Sequence, residues 1–181
     1  LTLARAGLKP IVLERGRDAD TRTAKVRASR SGGALDAECN VQFGEGGAGT
    51  FSDGKLNTGT HDRRITHVLR EFAAHGAQKS VVYDAKPHVG TDVLTRVVKS
   101  IREEIINLGG EVRFGARLEG LVLDGLGAVR AVRVASEGLE YVQRCSALVL
   151  ATGHSARDTF EMLLGTGVPM EAKAFSMGAR I

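Results

Sequence analysis

Five glycines lie close together between Phe43 and Leu56, at positions 44, 46, 47, 49 and 54. Residues without a Cβ let successive backbone N–H groups converge on an anion. A flexible linker is the other interpretation, but Phe43, Phe51 and Leu56 are interspersed among these glycines, and flexible linkers are rich in Gly and Ser. The segment therefore predicts a loop that binds a ligand and that limits where the flanking elements can lie.

Part of this segment imitates a nucleotide-binding P-loop. Gly49, Gly54 and Lys55 have the G-x-x-x-x-G-K spacing, but Leu56 stands where a P-loop needs Ser or Thr for magnesium. No strongly apolar strand precedes the segment either. The pattern therefore disfavours a P-loop.

The apolar patterns on both sides of this segment predict strands and helices that follow one another along the chain. Residues 10–14 form a short apolar run that predicts a buried parallel strand, and residues 17–43 predict a mobile connection with some helix. Spacings of three and four predict helices over 63–75 and over 91–108, the second with Thr91 as its cap and Gly109 as its stop. This order is typical of an α/β fold with a parallel sheet.

The C-terminal third predicts mainly strands. Residues 111–114 alternate with period two, and a β-meander is predicted over about 118–144, with strands at 118–123, 128–134 and 139–144. Residues 147–151 form an apolar run that predicts a further strand. Ser155 and Asp158 have the spacing of a capping box, which predicts a helix over about 156–164.

Composition and charge exclude some classes of protein. The 181 residues are 43% hydrophobic, which is ordinary for a globular protein, and no apolar run is long enough for a membrane span. The net charge is +4, with basic residues concentrated between Arg15 and Arg30. That stretch favours a solvated surface or one that faces phosphate. We expect a cytoplasmic protein, with no metal site among its scattered histidines.

Both ends of the sequence predict a fragment. Leu1 to Gly7 has the pattern of the last turns of a helix that Gly7 closes, and the chain stops after an apolar segment at Ile181. We therefore expect one partial domain over residues 1–181 that is incomplete at both ends.

Four segments carry a family resemblance. Residues 3–16, with Gly7, Pro10 and Glu14, resemble the stretch that follows the glycine fingerprint in FAD-dependent oxidoreductases of the glutathione-reductase-like superfamily. Residues 40–56, 88–92 and 151–160 resemble a family of uncharacterised bacterial FAD-dependent dehydrogenases. The resemblance runs over nearly the whole chain and implies a Rossmann-like FAD-binding domain with a parallel sheet and an inserted β-meander.

The resemblance also implies roles by position. Glu14 would bind the adenosine ribose with Arg15 beside it, and Leu118 would offer its backbone to the adenine. The loop from Gly46 to Ser52 would line the diphosphate and flavin, through Gly46, Gly47, Ala48, Gly49, Thr50 and Ser52. Thr152 and Gly153 would pass beside the cofactor. The glycine fingerprint itself is absent, and no catalytic residue is implied.

We therefore expect an FAD-dependent oxidoreductase of the dehydrogenase type, inactive as this fragment. Its partners would be a small-molecule substrate and a nicotinamide or protein electron donor, with neither nucleic acid nor a membrane. The alternative hypothesis is a nucleic-acid-binding module that uses basic residues 15–30.

Overall fold

The structure is a computed structural model that describes residues 1–52, 54–56, 61–84 and 86–174. The chain divides into two compact units. The first consists of Leu1–Arg117 with Ser136–Gly138, and the second of Leu118–Ala135 with Leu139–Ile181. The expected single domain over the whole chain stays a prediction.

The first unit combines helices with a parallel pair of strands. Its elements are α1 (Thr2–Arg5), β1 (Ile11–Glu14), α2 (Ala19–Arg30), the 3-10 helix η1 (Ala48–Phe51), α3 (Arg64–Ala74), the 3-10 helix η2 (Lys79–Val82), α4 (Thr91–Asn107) and β2 (Glu111–Phe114). β1 and β2 run parallel, with Leu13 opposite Arg113. The parallel pairing confirms the sequence prediction. The prediction that the first strand is buried was wrong, since Val12 is 40% exposed. Within the described residues, this strand pairs along one edge only.

The core of the first unit lies between α3, η2 and α4. Its buried side chains are Ala77, Val81, Val89, Leu94 and Val97. The apolar face predicted for α4 supplies two of them, and Leu56 at the end of the glycine-rich segment packs against the same cluster. The helix that positions β2 is therefore fixed by the same core as the end of the glycine-rich segment.

Glycine ends each of the five α-helices of the described chain in the same way. The residue after each C-cap has a positive φ, and the next N–H group bonds back into the last turn. These glycines are Gly7, Gly32, Gly76, Gly109 and Gly167. A residue with a Cβ is strained in this left-handed conformation, so the sequence itself fixes where each helix stops.

α2 is the helix expected within residues 17–43, and it is longer than the description of a connection with some helix suggests. The Asp18 carboxylate accepts hydrogen bonds from the N–H groups of Asp20 and Thr21, which caps a helix of 12 residues. α4 needs a smaller correction, since Gly90 is its N-cap and Thr91 its first residue.

Most of the predicted meander belongs to the second unit, whereas the first two residues of its first strand and Ser136 belong to the first unit. β3 (Ala116–Leu123), β4 (Val129–Ser136) and β5 (Leu139–Arg144) form an antiparallel sheet in that order, and α5 (Arg157–Gly165) follows. Their bounds agree closely with the prediction, because turns at 124–127 and 137–138 separate the strands. The meander is confirmed.

Two predictions for the second unit were wrong. Residues 147–151 form no strand, and Val149 is 76% exposed, because no described segment pairs with them. The capping box also does not form, since the N-cap of α5 is Ala156 and Ser155 lies one residue too early.

Over the part of the chain that the structure describes, no helix is both long and apolar enough to span a membrane.

A cluster of charged side chains joins α1, α3 and α4. The Arg5 guanidinium bonds to the carboxylates of Glu71 and Glu104, with Nε 2.6 Å from Oε1 of Glu104. His75, at the end of α3, has its Nδ1 2.7 Å from the Glu71 carbonyl oxygen and its Nε2 2.7 Å from the Glu104 carboxylate. The hydrogen bonds from Arg5 and then from His75 lower the pKa of Glu104 from 4.5 to about 2.

We therefore expect the free energy of unfolding to fall in acid in a way that depends on Glu104. A carboxylate with a lowered pKa stabilises the fold fully above its unfolded pKa, here about 4.5, and this contribution is lost as pH falls toward 2. Denaturant unfolding at several pH values should show a shallower loss between pH 4.5 and 2 in Glu104→Gln than in the wild type. Glu103→Gln, next to it on α4, is the control and should keep the wild-type slope. Equal slopes in all three proteins would contradict the assignment.

Candidate functional site

The carboxyl end of β1 meets both the end of β2 and the glycine-rich segment. The Gly115 N–H donates to the Gly16 carbonyl oxygen at 2.9 Å, and the Glu45 N–H donates to the Arg17 carbonyl oxygen at 3.0 Å. The carboxyl ends of parallel strands are where open α/β sheets bind ligands. This edge is therefore the candidate site, and the segment from Gly44 to Phe51 is called the glycine loop below.

Glu14 lies at this edge as the last residue of β1. Its Oε1 accepts a hydrogen bond from the Gly16 N–H at 2.7 Å, which holds the half-buried carboxylate against the turn after the strand. Gly16 itself is required by packing, because a Cβ there would lie 2.6 Å from the Cα of Gly44. The strand end and the glycine loop are thus in direct backbone contact beside the Glu14 carboxylate.

The buried guanidinium of Arg22 holds the glycine loop from the inside. Arg22 is fully buried, and its three nitrogens donate to five backbone carbonyl oxygens at 2.6–3.3 Å. These carbonyls belong to Asn40, Val41, Gly44, Glu45 and Gly47. The guanidinium also lies 4.6 Å from the centre of the Phe51 ring, a cation–π contact. A charged group is buried at little cost only when its donors are satisfied, and here they are.

Sequence reasoning treated Arg22 only as one member of a basic stretch. A signal for its burial was present, because Ala19, Arg22 and Val26 follow helical spacing, and all three are buried on one face of α2. Burial lowers the pKa of the Arg22 guanidinium, and interactions with Cys39, Glu14 and Glu45 oppose that shift. Arginine keeps its charge under such conditions.

Glu45 anchors the glycine loop at a second point. Its carboxylate accepts the Ala19 N–H at 2.7 Å, in the first turn of α2, and lies 3.3 Å from the Arg102 guanidinium of α4. A helix N-terminus favours an anion, and Glu45 supplies it from within the protein. Burial raises the pKa of Glu45, while the Ala19 N–H and Arg102 act in the opposite direction.

The glycine loop has an inner and an outer face. Gly44, Glu45 and Thr50 are buried, whereas residues 46–49 are exposed. A Cβ added at Gly47 or Gly49 would meet no atom within 4 Å. The outer face is therefore open, and this is the face available to a ligand.

The prediction that N–H groups of this loop converge on an anion is wrong for its inner face only. Carbonyl oxygens, not N–H groups, converge there, and they converge on a cation, Arg22. The N–H groups of Gly46 and Ala48 belong to peptide units whose carbonyls, those of Glu45 and Gly47, point at Arg22. Because N–H and C=O lie on opposite sides of a trans peptide, these two N–H groups point away from Arg22, toward the outer face.

The predicted site residues of the first unit divide between these two faces. Glu14 lies at the edge, and Gly46, Gly47, Ala48 and Gly49 lie on the outer face. Two others turn toward the protein, since Arg15 pairs with Glu38 and Thr50 is buried under Gly46. Ser52 is exposed, and its hydroxyl donates to the Gly49 carbonyl oxygen.

The remaining predicted residues lie in the second unit. Leu118 is on β3, Thr152 is half-buried after residues 147–151, and Gly153 is exposed with a φ of 72°. Their roles toward a cofactor stay predictions.

The described residues between Gly49 and Lys55 do not have a P-loop arrangement. Lys55 forms an antiparallel bridge with His88, where a P-loop has the start of a helix. In the basic stretch, Arg15 pairs with Glu38, Lys25 pairs with Asp36 and Arg22 is buried, so three of its six cations are engaged within the protein. This arrangement weakens the nucleic-acid hypothesis. Among the described residues, no group of three or more His, Cys, Asp or Glu side chains is arranged to hold a metal ion.

Comparison with known proteins gives a long relative and a structural neighbour. The chain is 52% identical over all 181 residues to an uncharacterised protein of Clostridium beijerinckii, of which it spans 33%. No family model matches. The crystal structure of THI4 from Thermovibrio ammonificans superposes with a TM-score of 0.50 and 14% identity, over 89% of this chain and 63% of that one. Over the aligned part, the chain shares the fold of that protein.

A second solved structure is more distant. The 3-ketosteroid-Δ4-(5α)-dehydrogenase from Rhodococcus jostii RHA1, in complex with 4-androstene-3,17-dione, superposes with a TM-score of 0.39 and 16% identity, over 76% of this chain and 44% of that one.

Gly44 gives a direct test of the packing around Arg22. A Cβ at this position would lie 2.5 Å from the Arg22 Cδ, and the φ of 116° strains any residue other than glycine. We expect Gly44→Ala to lower the free energy of unfolding by about 1–3 kcal/mol, measured by denaturant titration. Gly49→Ala, where the new methyl meets no atom, is the control and should change stability by less than about 0.5 kcal/mol. Equal losses in both variants would contradict the arrangement.

Proposed function

We propose that the chain is part of an FAD-dependent oxidoreductase, within a Rossmann-like FAD-binding domain, and that the β1 edge with the outer face of the glycine loop binds the cofactor. The partners would be a small-molecule substrate and a nicotinamide or protein electron donor. One observation carries the proposal: an acidic strand end and an open glycine loop adjoin at the carboxyl edge of a parallel strand pair. The resemblance of residues 3–16 and 40–56 to FAD-dependent dehydrogenases supports the same assignment.

The residues at this edge fit the adenosine and diphosphate parts of FAD. A ribose diol needs an acceptor for its hydroxyl protons, and the Glu14 carboxylate uses one oxygen for the Gly16 N–H and has a second. A diphosphate needs N–H donors without side chains in the way. The outer face presents the N–H groups of Gly46 and Ala48, and Gly47 and Gly49 beside them add no side chain.

When bound, FAD would supply hydride transfer at its flavin ring. The residues of this edge would contribute binding and orientation: Glu14 by accepting hydroxyl hydrogen bonds, and the outer face by donating N–H groups. Glu45 would take no direct part, because its carboxylate is occupied by the Ala19 N–H and Arg102.

Replacement of Glu14 tests the ribose contact. In the protein produced at its full natural length, Glu14→Ala should weaken FAD binding by about 1–3 kcal/mol, because hydrogen bonds to a charged acceptor contribute that much. Fluorescence titration of the deflavinated protein with FAD measures the loss.

Glu14→Gln is the matched variant. Its amide oxygen still accepts the Gly16 N–H, so the turn after β1 is kept while the charged acceptor is lost. We expect an affinity between those of the wild type and Glu14→Ala. Unchanged FAD affinity in both variants would show that Glu14 ends the strand and does not bind the ribose.

Gly49→Val tests the outer face without disturbing the protein. The position has no positive φ and open space around its Cβ, so the apo protein should keep its melting temperature. A branched side chain there would fill the space that we assign to the cofactor, and flavin should be released. Absorbance of bound flavin and a thermal melt of the apo form separate the two effects.

Two further variants complete the comparison. Gly47 has φ 66° and ψ −170°, a conformation open to glycine alone, so Gly47→Val should lose both flavin and stability. Lys55→Ala should release less flavin than either valine variant, whereas nucleotide binding by a P-loop would depend on its lysine. Loss of nucleotide binding in Lys55→Ala alone, with both valine variants still binding, would overturn the assignment.

A further inference from the structure

We infer that Arg22 is a positioning residue for the cofactor site: it acts on the ligand through the glycine loop, by turning the N–H groups of Gly46 and Ala48 toward the outer face. The inference rests on the proposed function, since it assigns a role to one residue of that same site.

The geometry of two peptide units carries the argument. The carbonyl oxygens of Glu45 and Gly47 lie 2.6 and 2.9 Å from one guanidinium nitrogen of Arg22. Each of these units is planar and trans, so fixing the carbonyl inward fixes the following N–H outward. Neither the Gly46 N–H nor the Ala48 N–H donates to a backbone carbonyl among the described residues. Arg22 therefore sets the direction of two donors that it does not touch.

Neighbouring contacts keep the guanidinium itself in place. Its Nε donates to the Asn40 carbonyl oxygen at 2.8 Å, and the Asn40 side chain in turn accepts the N–H groups of Gln42 and Phe43. The Phe51 ring covers it at 4.6 Å. These contacts hold the guanidinium in one plane, so neither the Glu45–Gly46 nor the Gly47–Ala48 peptide can rotate without losing a hydrogen bond to a charge.

Lysine could not perform this role. A guanidinium presents five N–H donors in a rigid plane, whereas an ammonium presents three on a flexible stem. Arg22→Lys keeps the charge but leaves carbonyls of the loop without donors, so their peptide units are free to turn. The variant thus separates charge from positioning.

The test uses the protein at its full natural length, with FAD as the probe. Arg22→Lys should raise the dissociation constant of FAD about tenfold or more, the effect of losing the alignment of donors to a charged group. Arg27→Lys, the same substitution on an exposed position of α2, should leave it unchanged. A role confined to stability would lower the melting temperature of Arg22→Lys without changing its FAD affinity, and that result would overturn the inference.

Amide hydrogen exchange on the wild type tests the same inference should Arg22→Lys fail to fold. The Gly46 and Ala48 amides should exchange fast in the deflavinated protein and become protected when FAD binds. The Glu45 amide, bonded to the Arg17 carbonyl oxygen, should be protected in both states. Protection of Gly46 and Ala48 before FAD is added, or no change on its addition, would overturn the inference.

The two proposals fail in different ways. A wild-type protein that binds no FAD at all would refute the proposed function. A wild-type protein that binds FAD, with equal affinity in Arg22→Lys, would refute only the role of Arg22.

Discussion

The candidate site in the first unit depends on the hydrogen bonds of one buried group, the Arg22 guanidinium. Its hydrogen bonds go to five backbone carbonyl oxygens, and the charges of Glu14 and Glu45 also act on it. Burying a cation costs free energy unless every donor is satisfied, so the chain must bring all five carbonyls to one place. That requirement explains why the segment after α2 folds back on the helix, and why Gly44 packs against the side chain without a Cβ.

A second charge, the Glu45 carboxylate, fixes the same loop at another point. Glu45 places its carboxylate at the first turn of α2 and near Arg102 of α4, so this one residue binds α2 both through its carbonyl and through its side chain. The glycines then serve two purposes. Gly16 and Gly44 permit close backbone packing inside, whereas Gly47 and Gly49 leave the outer face open. The same composition that predicts a ligand-binding loop thus also builds the support beneath it.

Much of the local structure could be predicted because it depends on neighbours in sequence. α4 and the meander follow their apolar periodicities, and Gly109 ends α4 through its own backbone conformation. The sequence predicted where the candidate site lies, but not which side chains hold it in place. Arg22 was counted with the basic residues, although its spacing from Ala19 and Val26 places it on the buried face of α2. Charge patterning describes a surface, and it fails for a cation that tertiary packing encloses.

The sequence by itself determined where helices stop, which segments alternate as strands, and that a glycine loop follows an acidic strand end. These are properties of backbone conformation and of periodicity, which act over a few residues. Only the tertiary structure decided which face of the loop is open, because that depends on Arg22 meeting carbonyls 18 to 25 positions away. It also decided that the apolar residues 147–151 form no strand, since a strand requires hydrogen bonds from a neighbour, and composition alone does not supply one.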